Sequence, residues 1–325
     1  MSTSPIFIVG VPRSGTTLLA SLLSAHPTTA ISPESHFLNY WLPQWGQSNL
    51  HTFWQQFCQS QRFSYFGVDA DAVWARAQTK QKLTHRALFE SLLETYAAQL
   101  NKPRWGEKTP MHYQHLDQIF DWYPTASVLW LLRDPRAVVA SLLRANWASD
   151  YTDENAQLWH QSLRDYERHW QADTRVKQVR YETLVTRPQA CLQEICEFLH
   201  EPYPPDLIDR RSSANSPIVN RPEWAATHLR QALAPLEITP LEKWKRQLSR
   251  SRVEIIEQIN RDTMARYGYT PMTSGQTLLR GKLRGRLEQL ERKFIRRLHQ
   301  WQPQLGLDKS ALTDWVHGIV PKTLV

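Results

Sequence analysis

The chain has 325 residues, 41% of them hydrophobic, and a formal net charge of +8; that length can bury a substantial core, in one large α/β domain or two smaller ones. Ten Lys/Arg against four Asp/Glu between Gln276 and Val325 put most of the excess charge in the tail, which leaves the body nearly neutral and argues against a nucleic-acid-binding surface there. The three cysteines, Cys58, Cys191 and Cys196, form no C-x-x-C pair, no window approaches a charge-free membrane span, and the first residues lack a basic, apolar leader. Neither a disulfide framework nor a thiolate zinc site is indicated, and the expected location is a reducing cytoplasm.

The first predicted unit is Pro5–Leu19, PIFIVGVPRSGTTLL. Ile6-Phe7-Ile8-Val9 is a β-rich apolar run that reaches Gly10, and from Thr16 onward leucines recur at helical spacing. A strand, a tight loop and a helix start follow in that order. Successive backbone N–H groups of such a loop, with the unpaired donors of the helix N-terminus, make a pocket for phosphate or sulfate. Gly10 to Thr17 nearly matches the pattern G-x-x-x-x-G-K-[ST], but Thr16 stands where a triphosphatase needs its lysine. Arg13 instead puts a planar cation inside the loop, suited to bidentate contact with an oxyanion. The run PRSGTTLL after a strand resembles the 5′-phosphosulfate loop of sulfotransferases that use 3′-phosphoadenosine 5′-phosphosulfate (PAPS). That resemblance implies contacts from Arg13, Ser14, Gly15, Thr16 and Thr17 to the donor.

Thr28–Ser32 is a short second strand leading to Pro33-Glu34-Ser35-His36-Phe37, and parallel strands bring their C-terminal ends over one crevice. Glu34 then faces the anion loop. By resemblance to protein-tyrosine and heparan-type sulfotransferases, the latter with a similar Glu-x-His-Phe, Glu34 is the catalytic base. Between Phe37 and Leu100 aromatic residues crowd the chain, among them Tyr40, Trp41, Trp54, Phe57 and Trp74. Such rings can stack on sugars or hold an aromatic acceptor, but at spacings such as Trp54/Phe57 helix packing is the expected fate of most. The segment is read as an acceptor-binding insert.

Arg104–Pro110 is a short extended piece ending near Lys108, with a helix beyond it. The resemblance implies that Lys108 contacts the transferred sulfonate or the bridging oxygen. Cytosolic small-molecule sulfotransferases carry a histidine base two residues after that lysine, where this chain has Pro110. The base role returns to Glu34, with His112 in reserve; His112 and His115 read more simply as helix packing than as metal ligands.

Ala126–Leu132 reads as the buried middle strand of a parallel sheet. It delivers Arg133-Asp134-Pro135-Arg136, where Asp134 and Pro135 make a good helix start. Arg133 and Ser141 can converge on a terminal phosphomonoester; the rival reading, a Walker B strand with Asp134 holding magnesium, is opposed by the missing Walker lysine and by the helix-capping use of Asp134. RDPRAVVASLLR resembles the 3′-phosphate motif of sulfotransferases, which implies that Arg133 and Ser141 grip the 3′-phosphate of PAPS.

A helix around Leu158–Trp170, the strand Val176–Arg180 and the segment Tyr181–Leu184 follow. The resemblance puts Tyr181 near the adenine. Pro188–Leu199 is a further helix, 201–240 reads as an irregular proline-rich loop, and helices are expected around Leu241–Leu248 and Val253–Tyr267. The resemblance implies a late loop that closes over the nucleotide from this part of the chain, for which Arg221, Arg230 and Lys245 are candidates.

The expected fold is three-layer α/β: a central parallel sheet with a P-loop-like phosphosulfate-binding loop, plus a helical C-terminal extension. The sulfotransferase domain spans 1–272, with the acceptor insert at about 37–100, and 273–325 form a basic helical extension. That extension offers packing, a homodimer contact or a peripheral membrane contact. The implied activity is in-line transfer of sulfonate from PAPS to an acceptor hydroxyl on a carbohydrate, peptide tyrosine or small molecule. Adenosine 3′,5′-bisphosphate is the product, and neither a metal nor a nucleic-acid partner is expected. The rival readings are an ATP-dependent P-loop kinase and an inactive nucleotide-binding adaptor.

Overall fold

The computed structural model describes residues 4–210 and 241–273. Five strands, β1 (Ile6–Gly10), β2 (Thr29–Ile31), β3 (Arg104–Glu107), β4 (Ser127–Leu132) and β5 (Val176–Arg180), form one sheet in the order β2-β3-β1-β4-β5. Every neighbouring pair is parallel, and β1 and β4 stay in register from Ile6 opposite Ser127 to Gly10 opposite Leu131. Because β1 is central and the chain winds to one side before crossing to the other, the sheet changes winding direction beside β1. In open α/β sheets that point carries the ligand crevice.

Side chains alternate across a strand, and the two halves of β1 separate accordingly. Phe7 and Val9 join Val128, Trp130 and Leu132 in one core with α2 (His85–Gln99) and α4 (Thr152–Asp165). Ile6 and Ile8 join Leu129 and Leu131 in the opposite core with the leucines of α1 (Thr16–Ser24) and with α5 (Pro188–Phe198). A helix layer on each face makes the three-layer arrangement. The shorter α3 (Pro135–Leu142) packs with Trp244 and with α6 (Arg250–Arg266) in a third apolar cluster.

Several boundaries differ from expectation. The helix expected around Leu158–Trp170 starts at Thr152 and passes into a π-helical turn, Tyr166–Trp170. Residues after β5 turn at once into a helix, Tyr181–Thr186, and the piece after Thr109 is a 3₁₀ helix, Pro110–His115. The crowded aromatics are mostly core: Phe37, Phe53, Phe57 and Phe89 are fully buried, and Phe37 meets Phe89 at 4.7 Å between ring centres. Tyr40 keeps half its surface exposed. Among the described residues, no helix is long and apolar enough to cross a membrane. The expected basic helix of 273–325 and most of the irregular 201–240 segment, with Arg221 and Arg230, lie outside the described residues.

Candidate active site

The C-terminal ends of all five strands deliver the candidate residues to one edge of the sheet: the loop 11–15 after β1, Glu34 after β2, Lys108 after β3, Arg133 after β4 and Tyr181 after β5. The β1 loop needs two unusual backbone positions. Gly10 has φ +141°, and a Cβ there would stand 2.6 Å from the Leu131 carbonyl oxygen. Gly15 has φ +100°, and a Cβ there would run into the Tyr181 ring at 2.3 Å. Arg13 also adopts a left-handed conformation, φ 75°, which costs a side-chain-bearing residue energy and turns the chain sharply. Ser14 donates its N–H to Val11 O at 3.1 Å, while its buried hydroxyl has no partner. α1 then begins without a side-chain cap, leaving its first N–H donors turned toward the loop.

Two arginines and a serine meet between the β1 and β4 loops. Arg13 Nε donates to Ser141 Oγ at 2.8 Å, and Arg133 Nη1 donates to the Arg13 carbonyl oxygen at 3.1 Å. The Arg133 guanidinium stacks 4.1 Å from the centre of the Tyr181 ring, and the Arg133 carbonyl accepts from Trp159 Nε1 at 2.9 Å. Burial lowers the Arg13 pKa first, and the charges of Arg133 and Arg144 lower it further, against a partial opposing pull from Glu34. The two guanidinium groups thus stand close together on one side of the crevice. Ser141 therefore reaches the Arg13 side of the crevice, and Tyr181 forms a wall that keeps Arg133 flat.

Asp134 is fully engaged elsewhere. Its Oδ1 accepts from the Arg136 N–H at 2.8 Å as a helix cap, and both carboxylate oxygens accept from the Arg136 guanidinium at 2.7–3.3 Å. Arg136 also donates to Glu257 at 2.7 Å and stacks on Trp244 at 4.2 Å. The helix-capping use of Asp134 expected from the sequence is what the structure has, and the carboxylate that the rival Walker B reading would give to magnesium is spent on an arginine. Among the described residues, no cluster of three or more His, Cys, Asp or Glu has the form of a metal cage.

Across the crevice, Lys108 Nζ donates to Glu34 Oε1 at 2.5 Å and lies 3.4 Å from Thr17 Oγ1. Glu34 Oε2 accepts from His36 Nε2 at 3.2 Å and faces Arg62 Nη1 at 3.9 Å. Burial pushes the Glu34 carboxyl up, but Lys108 and His36 overturn it, and the net shift is far below the ordinary carboxylate range. About 27% of the Glu34 side chain stays open, so an acceptor can reach it. His112 cannot serve as the reserve base. It is fully buried, its Nδ1 donates to Glu107 Oε2 at 2.9 Å, and its Nε2 accepts from the Leu38 N–H at 3.3 Å. Lys245 is exposed and paired with Glu242.

Two residues escaped the sequence reading. Glu182 accepts from the Asp134 N–H at 2.9 Å and from Tyr269 Oη at 3.0 Å, tying β5 to the Arg133 loop. Glu107 ties Glu34's neighbour to Lys108's. A carboxylate at the end of a buried strand was the available signal.

A parallel sheet with a glycine loop after its central strand defines a P-loop-like α/β protein. The chain belongs to the sulfotransferase family, whose model matches residues 5–205. It is 26% identical over 256 residues to the protein-tyrosine sulfotransferase of Drosophila melanogaster, 75% of this chain and 47% of the fly protein. It is 25% identical over 288 residues to protein-tyrosine sulfotransferase A of Caenorhabditis elegans, 83% of this chain and 68% of the worm protein. The chain thus spans about half the length of the fly relative. The sulfotransferase domain from the curacin biosynthetic pathway shares the fold, with a TM-score of 0.58 at 22% identity over 82% of this chain and 98% of that domain.

Proposed function

We propose that the protein transfers the sulfonate of PAPS to an acceptor hydroxyl. The observation that carries this reading is the pairing of a Glu34–Lys108 couple, within reach of Thr17, with an Arg13–Ser141–Arg133 group on the same strand-end edge. Residues of the β1 loop, Ser14, Gly15, Thr16 and Thr17, suit the 5′-phosphosulfate; the buried Ser14 hydroxyl, without a partner among the described residues, suits an oxyanion. Arg133 and Ser141 suit the 3′-phosphate. Tyr181 supports Arg133 and borders the adenine side.

In the reaction, Glu34 takes the acceptor proton as the acceptor oxygen bonds to sulfur. The bond from sulfur to the bridging oxygen breaks, and its electron pair leaves on the 5′-phosphate of adenosine 3′,5′-bisphosphate. Arg13, Lys108 and the loop N–H groups meet the charge growing on the leaving oxygen; one such preorganised donor contributes about 3 kcal/mol to the barrier. Lys108 has two tasks, since its ammonium also quenches Glu34. A sulfonate beside Thr17 competes for that ammonium, and Glu34 regains basicity once the lysine turns away.

The names of the fly and worm relatives bring a peptide tyrosine forward as acceptor, beside carbohydrates and small hydroxyl compounds. Three free thiols favour a reducing, cytoplasmic setting. The test is transfer of labelled sulfonate from PAPS to panels of peptides, glycans and phenols, by wild type and Glu34→Gln. Transfer that survives the substitution unchanged removes Glu34 from the reaction, and incorporation into no panel at all removes the activity.

A further inference from the structure

Glu107 has no solvent exposure and makes no contact that the transfer reaction uses. Four donors nevertheless converge on its carboxylate. Oε1 accepts from the Ser35 N–H at 3.2 Å, Ser35 Oγ at 2.8 Å and Thr109 Oγ1 at 2.5 Å; Oε2 accepts from His112 Nδ1 at 2.9 Å. Burying a carboxylate is costly unless its lone pairs are filled, and here they are. Burial pushes its pKa up, and His112, Thr109 and Ser35 together bring it below the ordinary range.

The partners decide what this cluster is for. Ser35 follows Glu34 directly, and Lys108 follows Glu107 directly, so one carboxylate joins the two chain segments that carry the reacting pair. Thr109 extends the bracing by accepting from the His36 N–H at 3.2 Å, and His36 is the second partner of Glu34. His112 fixes the far side: the Leu38 N–H occupies its Nε2, which leaves Nδ1 as the donor to Glu107. Phe37 to Trp41 form a π-helical turn entered through His36 at φ 52°, a rare path that needs outside support. The hydrogen bonds to Thr109 and His112 supply it.

We infer that Glu107 and His112 form a buried positioning frame, which sets the Glu34 carboxylate against the Lys108 ammonium without either frame residue touching donor or acceptor. The inference rests on the sulfonate-transfer reading. A carboxylate suits the frame because all four groups facing it, on Ser35, Thr109 and His112, donate. An amide would present two N–H groups to donors, and a His112 lacking its acceptor would leave the Leu38 N–H unpaired.

The experiment is a double-mutant cycle in the full chain, with Glu107→Gln, Glu34→Gln and the double variant. It reads kcat for labelled sulfonate transfer and the affinity for adenosine 3′,5′-bisphosphate by calorimetry. Thr109→Val, nearly isosteric and cutting one strut, replaces Glu107→Gln if the latter fails to fold. The expected result is a fall in kcat of about 10- to 100-fold for the frame variant, with bisphosphate affinity kept within about twofold. In the Glu34→Gln background, the same substitution costs little more, because residues acting through one group are not additive. Full additivity, or a loss of bisphosphate affinity that matches the loss of kcat, overturns the frame. A wild type indifferent to the bisphosphate instead overturns the sulfonate-transfer reading beneath it.

Discussion

Arg133 Nη1 donates to the main-chain oxygen of Arg13 at 3.1 Å, across 120 positions of sequence. That bond joins the loop after β4 to the loop after β1, and the Tyr181 ring stacks on the Arg133 guanidinium. On the sulfonate-transfer proposal, a ligand with a phosphate at each end meets both loops together.

Replacing Arg133 by alanine removes charge-assisted hydrogen bonds worth about 1.5–3 kcal/mol, so bisphosphate affinity falls roughly ten- to hundredfold. Ser141→Ala costs less, because its hydroxyl already accepts from Arg13. Calorimetric titration of both variants measures the order. Equal losses would contradict the assigned division of labour.

Gly15→Ala meets two obstacles, a positive φ and the Tyr181 ring. The expected cost is about 1–3 kcal/mol of folding stability, together with loss of bisphosphate binding. Tyr181→Ala in the same chain relieves the clash but not the backbone strain, so it restores only part of the stability. Denaturant unfolding of the single and double variants reads this out.

Glu34 is held below its unfolded pKa, so between the two values the unfolded chain binds more protons than the native one. The stability that the Glu34–Lys108 pair contributes is therefore complete above the ordinary glutamate pKa of about 4.3 and is lost as pH falls below it. Melting temperatures of wild type and Glu34→Gln should differ most near neutrality, and the gap should narrow toward about pH 3. Transfer by Glu34→Gln should fall about 10²- to 10⁴-fold, as for loss of a general base.

Asp134→Ala removes a helix cap and uncovers buried Arg136, which keeps Glu257 as a partner. The expected loss is about 3 kcal/mol, more than a cap alone contributes. Because Asp134 is committed to Arg136, sulfonate transfer should persist in excess EDTA. Activity abolished by EDTA and restored by magnesium would return Asp134 to the metal-binding reading.

The parts of this molecule written locally were legible in the sequence. Ile6–Val9 and Ala126–Leu132 announce buried parallel strands because both faces of such strands are apolar. Gly10, Gly15 and Pro135 mark turns and a helix start through backbone chemistry. Pairings across the chain were not legible, since no local pattern records which loop Ser35, Glu107 or Glu182 will meet once the sheet forms. In the aromatic segment helix packing was the expected fate of most rings, and Phe37, Phe53 and Phe57 are indeed in the core; that Tyr40 keeps half its surface exposed is what the spacing does not record. His112 looked available as a base because neither of its hydrogen-bond partners is near it on a helix.

The central claim is that one crevice holds both ends of a 3′-phosphorylated adenosine nucleotide beside the Glu34–Lys108 pair. Calorimetry of the full chain with adenosine 3′,5′-bisphosphate and with Mg-ATP tests it most directly. The account predicts tight binding of the bisphosphate, weakened by Arg133→Ala, and weak or no binding of Mg-ATP. Tight Mg-ATP binding with indifference to the bisphosphate would contradict it.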